Sequence, residues 1–104
     1  MVKRTLLSDS DRALALEDLP GWSYDAHARA IRRRFLFADF AEAFGFMARI
    51  ALIAEKMDHH PDWTNVWNRL DIALNTHSEG GVTMADVTLA RAINACYDAA
   101  RGSS

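Results

Sequence analysis

A single cysteine, Cys96, excludes an internal disulfide framework and fits a reducing compartment. Neither sign of charge dominates. Twelve Lys and Arg against 14 Asp and Glu give a formal net charge of −2, which leaves no electrostatic case for nucleic acid or an anionic membrane. The one dense basic run, Arg32-Arg33-Arg34, is short, offset by nearby acids, and reads as a solvated strand face. No apolar stretch approaches a membrane span. Leu6 and Leu7 give way to Ser8 and Asp9 too soon for the apolar region of a secretory signal. Repeats and low-complexity tracts are also missing. These absences lead us to expect a soluble, cytoplasmic protein.

What is present is an ordinary globular composition: 104 residues, half of them hydrophobic and a quarter charged. That length suits one domain over residues 1–104, with 101–104 as a frayed tail. A domain this small buries a modest fraction of its surface, so oligomerisation is a natural source of added stability.

Ser8 is placed to cap a first helix carrying Asp9 and Asp11 in its first turn and Leu14, Leu16 and Leu19 beyond, ended by Pro20-Gly21. Trp22-Ser23-Tyr24 suits a short strand. Residues 30–37 put Ile31, Phe35 and Phe37 on one parity, as a second strand would. Asp39 then caps a long helix to about Met57. Along it, Phe40, Phe44, Met47, Ala51 and Ala54 form an apolar stripe that Phe46, Ile50 and Ile53 widen. A helix apolar over most of its circumference is buried on more than one side, so residues 39–57 are expected at a subunit interface, in a dimer or tetramer. After Pro61, residues 64–68 read as a third strand, and Leu70, Ile72 and Leu74 alternate as a fourth. Gly80-Gly81 turns the chain. Thr83-x-x-Asp86 opens a last helix whose buried face is Val87, Ala90, Ile93 and Tyr97. The order predicts an α+β fold, α-β-β-α-β-β-α, with helices on one face of a four-stranded antiparallel sheet.

Chemistry concentrates between Asp58 and His77, which hold three of the four histidines. His59 and His60 follow the long helix and His77 ends the fourth strand, flanked by Asp58, Asp62, Trp63 and Trp67. Three readings fit these residue types. Imidazoles titrate near neutrality, so the cluster could exchange protons with a substrate. Histidine and carboxylate also suit a metal, although adjacent histidines point apart and no cysteine completes a short ligand motif. The bland reading is a His-His-Pro turn with His77 merely exposed. Asp86 fits either a capping box or a site, and Trp63 and Trp67 either a pocket wall or a core. Glu55 and His27 read as solvated, and Cys96 and the methionines as packing.

The string Glu55-x-x-x-His59-His60-Pro61, five residues, Trp67, nine residues, His77, eight residues, Asp86 resembles the signature of the pterin-4a-carbinolamine dehydratases. The resemblance extends through Phe35-x-Phe37-x-Asp39-Phe40-x-x-Ala43-Phe44-Gly45-Phe46-Met47 and Ala54-Glu55-Lys56-Met57-Asp58, and back to Gly21-Trp22. It implies dehydration of a 4a-hydroxytetrahydropterin, made when an aromatic amino acid hydroxylase uses its pterin cofactor, to a quinonoid dihydropterin, with no redox cofactor and no metal. Carried over by position, His59 and His77 are the acid/base pair and His60 binds and orients the pterin. Asn75, Thr76 and Ser78 line the ring edge, Asp58 sits beside the pair, and Trp63 and Trp67 are candidate pocket walls. Ser78 stands where an acid is often found, and Gly80-Gly81 makes that loop plainer. The resemblance also carries a different class of function. Animal members bind the dimerisation segment of a homeodomain transcription factor, and another branch assists Rubisco assembly.

Overall fold

A computed structural model describes residues 4–101; residues 102–104 of the tail expected to fray lie outside the described residues. The elements run α1 (Asp9–Glu17), β1 (Ser23–Asp25), β2 (Ala30–Leu36), α2 (Phe40–Met57), β3 (Asp62–Val66), β4 (Arg69–Leu74), a 3₁₀ turn (His77–Glu79) and α3 (Met84–Ala100). The sheet order is β1-β2-β4-β3 and every neighbouring pair is antiparallel, as the alternation of strands predicts.

Period-two patterning gives the sheet two unlike faces. Ile31, Phe35, Leu70, Ile72 and Leu74 point to the helices and are at most 1% exposed. Against them pack Ala43, Phe46, Ile50 and Ala54 of α2 and Val87, Ala90 and Ile93 of α3. Each fully buried side chain of leucine or phenylalanine size contributes about 1.5–3 kcal/mol. Tyr97 meets the rings of Phe35, Phe37 and Phe46 at centroid distances of 4.9, 5.6 and 5.8 Å, joining α3 to β2 and α2. The opposite face carries charges in register. Arg34 lies across from Asp71 and bonds it at 2.7 Å, while Arg32 reaches Asp25 at 3.3 Å.

Local caps account for where the helices begin. Ser8 accepts from the Asp11 amide, Asp39 from the Glu42 amide, and Thr83 from the Ala85 amide.

Two boundaries and one buried helix face depart furthest from the sequence reading. The first helix stops at Glu17, and Leu19 is buried beyond its end while Leu14 stays 64% exposed. The third strand starts earlier, at Asp62, because Trp67 has a φ of +50° and turns the chain with Asn68 between the Val66–Arg69 pair. The Asn65 amide braces this turn by donating to the Trp67 and Arg69 carbonyls. In α2 the core-facing set is Ala43, Phe46, Ile50 and Ala54, whereas Phe40 and Phe44 of the expected stripe are 49% and 58% exposed. Apolar residues surround nearly the whole helix, so periodicity alone admits more than one phase.

Candidate active site

The end of α2 decides where the two adjacent histidines go. Asp58 adopts the left-handed conformation (φ 52°, ψ 44°), its amide bonding the Glu55 carbonyl and the His59 amide the Ala54 carbonyl. This is the Schellman arrangement, with aspartate in the position glycine usually fills. The reversal sends His59 into the protein and leaves His60 outside. Only 6% of His59 is exposed.

His59 is held at both ring nitrogens. Nε2 lies 2.5 Å from Asp86 Oδ1, and Nδ1 lies 2.9 Å from a terminal guanidinium nitrogen of Arg4. Asp86, fully buried in the first turn of α3, also accepts from the Thr83 amide at 2.8 Å and the Thr76 hydroxyl at 2.9 Å. Thr76 Oγ1 and Thr83 Oγ1 are 2.7 Å apart. Since Thr76 gives its proton to Asp86, Thr83 donates to Thr76. Asp86 thus fills the capping-box position and also binds a histidine. The network ties the end of α2, the end of β4 and the start of α3 at one point.

His60 and His77 face outward. His60 Nε2 bonds Glu55 Oε1 at 2.8 Å, so Glu55, read as merely solvated, orients an imidazole across the helix end. His77 opens the 3₁₀ turn just past β4 and, with Asn75, Asp62, Ala73, Arg32, Ala30 and Ala28, lines a hollow of about 200 Å³. Asp62 enters β3 two residues after His60 and pairs with Ala73, so the start of β3 adjoins the end of β4 that leads to His77. Asn75 reaches the Ala28 carbonyl at 3.4 Å.

Other expected site residues are dispersed. Thr76 is 4% exposed and its hydroxyl points inward to Asp86, not outward to a ring edge. Ser78 is exposed and meets Glu79 at 3.4 Å. The Asp58 side chain is exposed, and Pro61 is half-buried at the entry to β3. Trp63 packs against the hydrophobic core opposite Ile72. Trp67 is 64% exposed at the hairpin tip, the length of β3 away from Asp62, or roughly 16 Å. Among the described residues no three His, Cys, Asp or Glu side chains converge to hold a metal ion.

A second hollow of about 350 Å³ on the open sheet face is lined by Arg32, Arg34, Asp62 and Asp71. Its arginines are already paired. The hydrogen bond from Arg34, reinforced by the charges of Arg34, Arg69 and Arg32, holds the Asp71 carboxyl below its ordinary range, and the same partner raises Arg34.

Sequence reasoning missed Arg4, whose second terminal nitrogen donates to the carbonyls of Met57 and Asp58 at 3.0 and 3.1 Å. No local signal marks it, because its partners lie more than 50 positions away in the chain.

The fold and site together define an α+β domain in which the first of two adjacent helix-end histidines is braced by a buried carboxylate. Residues 5–96 match the family model described as pterin 4 alpha carbinolamine dehydratase. A protein of Rhodopseudomonas palustris (strain BisB18), bearing the name of a pterin-4-alpha-carbinolamine dehydratase, is 60% identical over 95 residues, spanning 91% of this chain and 92% of its own. A transcriptional coactivator/pterin dehydratase from Brucella melitensis superposes with a TM-score of 0.84 at 52% identity, covering 86% of this chain and 96% of its own. A pterin dehydratase-like RuBisCO assembly factor of the alpha-carboxysome shares the fold alone, with a TM-score of 0.63 at 19% identity over 73% of this chain and 88% of its own. The chain belongs to the pterin-4a-carbinolamine dehydratase family, an enzyme family of hydro-lyases. None of its helices, among the described residues, is long and apolar enough to cross a membrane.

Proposed function

We propose that this protein dehydrates a 4a-hydroxytetrahydropterin to the quinonoid dihydropterin and water, returning the pterin used by an aromatic amino acid hydroxylase. The carrying observation is that two outward imidazoles, His60 and His77, are mounted on segments clamped together from inside by the His59–Asp86–Thr76 network. In the reaction the C4a–O bond breaks as the hydroxyl takes a proton. N5 loses its proton, and its electron pair forms the C4a=N5 bond. Both transfers involve groups that imidazole serves well near neutral pH. His77 lines the hollow with Asn75, and His60 is oriented by Glu55. In this reading the two outward rings meet the substrate, and His59, which the resemblance pairs with His77 in acid/base work, adjoins His60 at the end of α2. His77→Ala and His60→Ala should each lower the dehydration rate of freshly generated 4a-hydroxytetrahydropterin while circular dichroism stays unchanged. A folded wild type that gives no acceleration would sink the proposal.

A second role rests on α2. Phe40, Phe44 and Leu52 leave an apolar strip on the helix side facing away from the core, and a contiguous exposed strip of this kind marks an interaction surface. We propose that it joins copies of this chain as a dimer or tetramer, leaving the loop-borne histidines free. Elution as a compact monomer at micromolar concentration would overturn this.

A further inference from the structure

We infer that Arg4 is a positioning residue of the histidine site, fixing His59 as the neutral tautomer protonated on Nε2. This deepens the dehydratase reading and, as a statement about function, rests on it.

A guanidinium offers only donors and stays protonated, so the nitrogen of His59 that faces it must accept. Nδ1 is that nitrogen, at 2.9 Å. The other nitrogen faces a carboxylate that already accepts from the Thr83 amide and the Thr76 hydroxyl, so Nε2 is the donor to Asp86. Each ring position is therefore assigned by a partner with one possible role. A proton on Nδ1 would set two cationic donors against each other in a site where His59 is 6% exposed. Among the described residues the charged groups bonded to the ring are Arg4 and Asp86.

Arg4 is itself anchored. Its second terminal nitrogen holds the carbonyls of Met57 and Asp58, where a cation is favoured by the helix dipole and completes the end of α2. The N-terminal segment thereby reaches across to the residue before the His-His pair and sets the tautomer beside it. The consequence is that Arg4 and Asp86 together fix the orientation of the His59 ring beside His60.

The test reads the ring nitrogens directly. Two-bond ¹⁵N–¹H correlation spectra of the full-length protein at neutral pH, without substrate, should show one histidine in the neutral Nε2–H pattern, identified by its loss in His59→Gln. Arg4→Met should change that ring's pattern, since Nδ1 then loses the donor that makes it an acceptor. Arg4→Lys should retain the neutral pattern by supplying a donor. An imidazolium or an Nδ1–H tautomer in the wild type overturns the inference, as does an unchanged pattern in Arg4→Met. If Arg4→Met does not fold, the wild-type pattern and the lysine variant decide. The measurement is made on the free protein, so an inactive enzyme and a misassigned tautomer give different results.

Discussion

His59 and Asp86 lie 27 positions apart in the chain and meet at 2.5 Å, the imidazole donating from the end of α2 to a carboxylate in the first turn of α3. The carboxylate is fully buried and takes two further hydrogen bonds, so one side chain joins three elements. Removing either partner leaves the others unsatisfied away from water, which costs more than the bond itself contributes.

Asp86→Ala strands the His59 ring, the Thr83 amide and the Thr76 hydroxyl together. The expected destabilisation is about 3–5 kcal/mol, in the range for breaking a buried pair. Urea unfolding followed by circular dichroism measures it, and a loss below about 1 kcal/mol would contradict the central role given to this carboxylate.

The three histidines should separate stability from rate. His77→Ala alters an exposed side chain, so stability should stay within about 0.5 kcal/mol while dehydration slows by roughly 10²–10⁴-fold. His59→Ala should lower both, because it opens the buried network. Equal stability losses in the two variants would contradict this division.

The Arg34–Asp71 pair gives a signed dependence on pH. Asp71 is held below its ordinary value of 3.8 chiefly by the hydrogen bond from Arg34. A carboxyl depressed on folding adds stability above its unfolded pKa and loses it as pH falls through the folded one. Wild type should therefore lose more stability than Asp71→Asn between neutral pH and the acid side of 3.8. Both groups are partly exposed, so solvent screening keeps the difference small. Urea midpoints at the two pH values, compared between the proteins, check the sign.

Leu52 is 74% exposed and Phe44 58%, and neither belongs to the core. Charging this strip with Phe44→Lys and Leu52→Lys should leave the circular dichroism spectrum intact and shift light-scattering mass to that of one chain. Retention of the wild-type mass would move the interface elsewhere.

Much of the fold was legible because its signals are local. Ser8, Asp39 and Thr83 cap helices through amides two or three residues away. The alternation of Leu70, Ile72 and Leu74 states which face of β4 is buried, and the structure agrees. The phase of α2 was not legible, since a helix apolar on two sides offers two candidate core faces. The histidine string was recognisable from its spacing, but spacing says nothing of which ring turns inward.

What the sequence by itself determined is the order of elements, their caps, the two-faced sheet and the family, all of which depend on neighbours within a turn or on fixed gaps along the chain. Only the tertiary structure decided that His59 is buried between Arg4 and Asp86, that Glu55 holds His60, and that Thr76 and Trp63 face inward while Trp67 sits at the hairpin tip. Those outcomes turn on the left-handed residue at Asp58 and on contacts between segments up to 55 positions apart, whose partners become neighbours only when burial of the core brings the elements together.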